Sequence, residues 1–181
     1  MKLNTRKLAA AAVIGALYAA LTMVNPLSYG PIQFRVSEVL CILPFFFPIS
    51  AIGLTIGCVI ANLISAYGII DIVFGSFATL LAGICGAAIG IRVRNKKRAS
   101  WGDCIATCLM PVLFNAPIIG CVLAYASLQE PGAQESFRQT AVIFGAQVGL
   151  GEAAVMLVLG LPLMRYFLKS KVFGELFARL Q

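Results

Sequence analysis

The chain has 181 residues, 60% of them hydrophobic and 12% charged, with a mean hydropathy of +0.94 and a formal charge of +7. A soluble domain carries about a quarter charged residues, so these totals exclude one; they describe an all-α integral membrane protein forming a single membrane-embedded unit, residues 1–181. With no histidine and no Cys-x-x-Cys, a His/Cys zinc site is excluded, no metal or cofactor is expected, and Cys41, Cys58, Cys85, Cys104, Cys108 and Cys121 read as small packing residues.

The first helix is expected over residues 7–24, without a cleavable leader, because its apolar run lacks an A-x-A end and leads into further apolar segments. It carries an alanine row, Ala12, Ala16 and Ala20, with Gly15 and Ala19 alongside. Residues four apart share a helix face, and small side chains there let another backbone approach, from the same bundle or from a partner protein. Asn25 and Pro26 end this helix.

The stretch NPLSYGPIQFRVSE (25–38) crowds Gln33, Arg35, Ser37 and Glu38 between two hydrophobic runs. Polar groups near a bilayer are costly unless they are paired or line a polar cavity. The stretch is therefore either a loop over a small-molecule pocket or an outer loop in which Arg35 and Glu38 pair with each other. Ser37 is expected to cap the second helix, with Glu38 in its first turn. Twelve residues from 37 to 48 would rise only about 18 Å, short of a hydrocarbon core of roughly 30 Å. Either that helix begins near Gln33, or it is tilted, buried and broken by Pro44.

A third helix over 49–67 contains Gly53-x-x-x-Gly57, then Asn62 and Ser65. A fourth over 71–93 contains Gly86-x-x-x-Gly90, and its Asp71 is either a helix cap or a ligand group. The polar linker RVRNKKRASWGD ends in Ser100-x-x-Asp103, a capping box for the fifth helix, 100–128. Pro111 and Pro117 flank Asn115 in that helix; freed carbonyls and an amide side chain then sit together, lining a cavity or bonding a neighbouring helix at a kink. The sixth helix, 139–169, holds Gly145-x-x-x-Gly149, Gln147 and Glu152. A carboxylate near mid-membrane costs roughly 2.5–3.5 kcal/mol, so Glu152 needs a cation, a proton or several donors. The tail KSKVFGELFARLQ alternates basic and apolar residues as an interfacial helix does.

Six membrane helices place both termini on one side, with twelve cations there (Lys2, Arg6, Lys7, Arg92, Arg94, Lys96, Lys97, Arg98, Arg165, Lys169, Lys171, Arg179) and only Arg35 and Arg138 opposite. The positive-inside rule makes that side the cytoplasm, so the basic excess is an orientation signal and nucleic-acid binding drops out. Asn62 and Asp71 then lie in the outer half, with Asn115 and Glu152 near the midplane, in a pocket open to the exterior. Tyr29, Phe34, Tyr67 and Phe74 are candidates for an aromatic wall, and the whole set suits a polar heterocycle carrying a cation. No nucleophile–base pair or G-x-S-x-G supports an enzyme, and no G-x-x-x-x-G-K-[ST] loop supports ATP use by this chain.

At YGPIQFRVSEVL (29–40), ANLIS (61–65) and DIVFGSFATLLAG (71–83), the chain resembles the queuosine-precursor transporter (QueT) family, over nearly its whole length. The resemblance implies a substrate-binding S component of an energy-coupling factor (ECF) transporter in the cell membrane. It further implies a six-helix bundle and the substrate preQ1, a 7-deazaguanine with an aminomethyl arm. Partners would be a membrane coupling protein, two ATPases and membrane lipid, with Ala12, Ala16 and Ala20 as the docking face. Glu152 and Glu38 are then expected as carboxylate partners. Gln33, Asn62 and Asn115 would read the ring edge, with Gln147 nearby; Arg35 would contact substrate or orient Glu38, and Asp71 is a further candidate for the ammonium. Two other readings are an S component for another vitamin-like nutrient and a stand-alone transporter with Glu152 as its proton site.

Overall fold

The structure is a computed structural model that describes residues 4–29, 34–96, 98–130 and 136–180. The helices are α1 (Thr5–Val24), α2 (Leu43–Phe46), α3 (Ser50–Asn62), α4 (Gly68–Lys96), α5 (Trp101–Ser127), α6 (Phe137–Val155), α7 (Leu161–Lys169) and α8 (Lys171–Leu180). A 3-10 turn at Pro26–Tyr29 and a longer one at Val36–Ile42 precede α2, and a π turn, Met156–Gly160, joins α6 to α7. Pro162 lies just after that π turn and has no N–H for the carbonyl four residues earlier, a standard cause of irregularity in a long helix.

Among the described residues, four helices are long and apolar enough to cross a bilayer: α1, α4, α5 and the 33-residue rod 137–169. Large apolar side chains such as Leu17, Phe77, Leu113, Leu150 and Val158 point outward from them. With every helical backbone bonded internally, such a surface belongs in lipid. The chain is a multi-pass, all-α membrane protein.

The segment left open by sequence resolves into two hydrogen-bonding patterns. It is 3-10 over Val36–Ile42 and α over Leu43–Phe46, with Pro44 near the start of the α turn, where a missing N–H costs nothing, and not at a break. The steeper 3-10 rise carries these eleven residues about 20 Å. Ser37 is not the cap: Arg35 takes that position without a side-chain bond, and the Ser37 hydroxyl instead accepts from Thr22 at 2.6 Å. The third helix stops at Asn62, and Gly68, at φ +63°, turns the chain into α4. Asp71 therefore lies inside the first turn of α4 and is not its cap. The capping box stands as expected, with Ser100 Oγ accepting from the Asp103 N–H at 3.1 Å and Asp103 accepting from the Ser100 N–H at 2.8 Å.

Two crossings fix the frame. A methyl group on Gly53 would overlap the Ala11 carbonyl, and one on Gly57 or Gly15 would overlap the facing glycine's carbonyl. α1 and α3 thus touch backbone to backbone. Gly120 and Gly145 bring α5 and α6 equally close, and Gly90 receives the Phe45 carbonyl. The α1–α3 contact uses Ala11, Gly15 and Ala19, which are buried, while Ala12, Ala16 and Ala20 stay exposed one residue round the helix. Among the cysteines, Cys41, Cys58, Cys104 and Cys108 pack in the interior, but Cys121 faces outward, contrary to the packing role expected of it.

Candidate functional site

The 3-10 turn decides how the polar stretch is presented. With three residues per turn, Arg35, Glu38 and Cys41 fall in one line along its inner side. The Cys41 thiol donates to Glu38 Oε2 at 3.1 Å, and the fully buried Tyr18 hydroxyl of α1 donates to Glu38 Oε1 at 2.5 Å. Arg35 Nε donates to the Ser28 carbonyl at 3.1 Å, and its Nη2 stands 4.0 Å from Asp71 Oδ2. Asp71 is held from the end of α3 and the turn after it: Ser65 donates to its Oδ2 at 2.6 Å, and Asn62 Nδ2 donates to its backbone carbonyl at 3.1 Å.

From the other helix pair, Asn115 Nδ2 donates to Glu152 Oε1 at 2.6 Å. α5 runs continuously through both prolines, and Asn115 is buried between them. Arg35, Glu38, Asn115, Val148 and Glu152 together line a cavity of about 10 Å3, which is the size of one water.

Among the described residues, the buried charged side chains are Arg35, Glu38, Asp71 and Glu152, exposed by 5%, 1%, 1% and 3%. One cation faces three carboxylates. Several polar atoms are buried without a hydrogen bond: in this cluster the acceptors Glu152 Oε2, Asp71 Oδ1 and Asn62 Oδ1 and the donor Arg35 Nη2, and besides them Gln147 Oε1 and the hydroxyls of Ser28 and Ser76. Orphaned buried groups are costly in folding, so a cluster of them is a reason to expect a ligand that completes them.

The profile of the QueT transporter family matches residues 8–169 of the chain. The chain belongs to the QueT transporter family. It is similar to the queuosine precursor transporter QueT of Lactococcus lactis subsp. cremoris (strain MG1363), 42% identical over 83 residues, which are 44% of this chain and 48% of that protein. The match spans about half the length of that curated relative. No solved structure matches the chain significantly.

Within this QueT-family bundle, Arg35, Glu38, Asn62, Asp71, Asn115 and Glu152 are buried and linked through neighbouring contacts in one interior region. Gln147 lies on α6 beside Val148, half-buried and off the cavity wall. Gln33 lies outside the described residues. Arg35 does not orient Glu38; Tyr18 and Cys41 hold that carboxylate while Arg35 turns to Asp71.

The four aromatics do not form one wall. Tyr29 donates to the Ala61 carbonyl at 2.9 Å, tying the loop to α3, and the Phe34 backbone carbonyl accepts from Asn25, just past α1, at 2.7 Å. Tyr67 packs near Ile119, Leu123 and Val148, whereas Phe74 is half-exposed in an outward apolar groove with Pro117, Cys121 and Tyr125. Sequence reasoning missed Tyr18 and Cys41. A tyrosine in an alanine-rich helix was a signal for the first, and a thiol three residues after Glu38 becomes one only once the turn is known to be 3-10.

Proposed function

We propose that this chain is the S component of an ECF-type importer, capturing preQ1 from the exterior for ATP-driven uptake by a coupling protein and two ATPases. Family membership and the name of the relative support a queuosine precursor as the substrate class. The observation that carries the reading is the excess of buried carboxylates over cations, together with more orphaned acceptors than donors. PreQ1 matches that imbalance: its aminomethyl ammonium and guanine-like N–H groups outnumber its ring acceptors. Glu152 and Glu38 take the ammonium and the ring N–H donors, with Asp71 as a further partner of the ammonium. Asn62 and Asn115, with Gln33, read the ring edge, and Arg35 Nη2 donates to the ring carbonyl.

A ligand pocket usually occupies 300–1,000 Å3, so a bicyclic base enters this site only when its walls part. The glycine crossings of α1 with α3 and of α5 with α6 leave little slack. The 3-10 segment meets α5 and α6 through side chains around the cavity, and opening occurs there. Six membrane passes, with the short segments 36–46 and 50–62 counted as two, put both termini in the cytoplasm by the twelve-to-two charge bias. The exposed row Ala12, Ala16, Ala20 is the face offered to the coupling protein.

Calorimetry on the purified protein with preQ1, preQ0, guanine and queuine tests the substrate. Tight binding of preQ1 over preQ0, weakened in Glu152→Ala and Asn115→Ala, is expected. Unchanged binding in both variants sinks the site, and no binding of any deazaguanine sinks the substrate. Uptake in vesicles that persists without ATPase partners under a pH gradient would remove the ECF mechanism in favour of proton coupling.

A further inference from the structure

Far from the polar cluster, where α4 ends and α5 begins, a second pocket of about 520 Å3 is lined by Arg94, Arg98, Arg165 and Lys169 over a floor of Phe45, Phe46, Val93 and Leu168. Four cations from two stretches of the chain, 94–98 and 165–169, surround it, and among the described residues no carboxylate lines it. Two are partly committed: Arg94 donates to the Phe46 carbonyl at 3.3 Å, and the Arg165 guanidinium stacks 4.1 Å above the Trp101 ring. Both bonds hold the heads in place without neutralising them. Arg98 and Lys169 are exposed.

The surroundings give the depth. Trp101 is 59% exposed, and tryptophan favours the boundary between headgroups and acyl chains. Helix α8 packs Phe173 and Phe177 against Phe46 and Phe167 and leaves Val172 and Leu176 outward, as a helix lying in that boundary does. A cationic rim at headgroup depth above an aromatic and aliphatic floor matches a phosphate attached to acyl chains, and basic pockets between membrane helices are known to take anionic headgroups. A free phosphate would use the rim and have no use for the floor.

We propose that the pocket of Arg94, Arg98, Arg165 and Lys169 binds the phosphodiester headgroup of an anionic phospholipid, with its acyl chains leaving past Leu168, the exposed apolar residue of its lining. The site is independent of what the buried carboxylate cluster binds.

The test is native mass spectrometry of the full-length protein titrated with phosphatidylglycerol, phosphatidylcholine or inorganic phosphate, for the parent and Arg98→Gln/Lys169→Gln. Both of those side chains are exposed, so folding should survive, and a thermal unfolding curve checks it. Arg6→Gln/Arg92→Gln, two exposed cations away from the pocket, is the charge-matched control. The parent should retain phosphatidylglycerol over phosphatidylcholine, with a preference that falls roughly tenfold in the pocket variant and holds in the control. An equal loss in the control would reduce the effect to bulk charge and overturn the site. So would a preference unchanged in the pocket variant. Inorganic phosphate competing as well as the lipid would overturn the lipid as its occupant.

Discussion

At one end of this bundle Arg35, Glu38, Asp71 and Glu152 are each no more than 5% exposed around a cavity of water size; at the other, Arg94, Arg98, Arg165 and Lys169 ring an open pocket of about 520 Å3. The two differ in what charge costs. A charge removed from water must find partners or lose its proton, so the buried cluster is stitched by Tyr18, Cys41, Ser65 and Asn115 and still leaves atoms unsatisfied. Charges at the membrane boundary keep their water and can be gathered four together at little expense. The buried cluster is thus specific and brittle, and the basic pocket is permissive.

The largest effect should come from Arg35→Ala, which leaves three buried carboxylates without a cation. Breaking a buried pair from one side costs about 3–5 kcal/mol. A sharp fall in thermal stability is expected, partly recovered by adding Asp71→Asn; a variant as stable as the parent would mean the cluster is solvated. Next is Glu152→Ala, for which truncating one side of a buried charge-assisted contact predicts a loss of preQ1 affinity of about 2–5 kcal/mol in calorimetry, with Glu152→Gln in between. Equal affinities in parent and alanine variant would move the ligand away from α6.

Tyr18→Phe should be milder, since it removes one hydroxyl from Glu38 and keeps the ring. Hydrogen bonds to charged groups are worth about 1.5–3 kcal/mol, so affinity should fall by roughly 10- to 150-fold, with the helical circular dichroism unchanged. No change would show that Glu38 needs no positioning. The smallest effect belongs to the open pocket: Arg98→Gln alone should leave the unfolding temperature where it was, because an exposed cation contributes little to folding. A clear drop would place that side chain in the same class as Arg35 and erase the contrast.

Much of this was legible in the chain itself. Mean hydropathy and the rarity of charge dictated a membrane protein, glycines at four-residue spacing such as Gly53 and Gly57 marked a crossing while the alanine row of α1 did not, and Ser100 with Asp103 marked a helix start. Arg35, Glu38, Asn115 and Glu152 stood out because ionisable and amide groups in apolar runs need a reason to be there. The pairings were not legible. Whether residues 36–42 wind as 3-10 or α depends on the surrounding packing, and that choice alone lines up Arg35, Glu38 and Cys41. The side chain that partners Glu38 comes from twenty residues earlier in the chain, and the one that partners Glu152 from thirty-seven earlier. Local pattern governs which faces are apolar, but hydrogen bonds between distant helices form only when the glycine crossings bring those faces together, and that is a property of the assembled bundle.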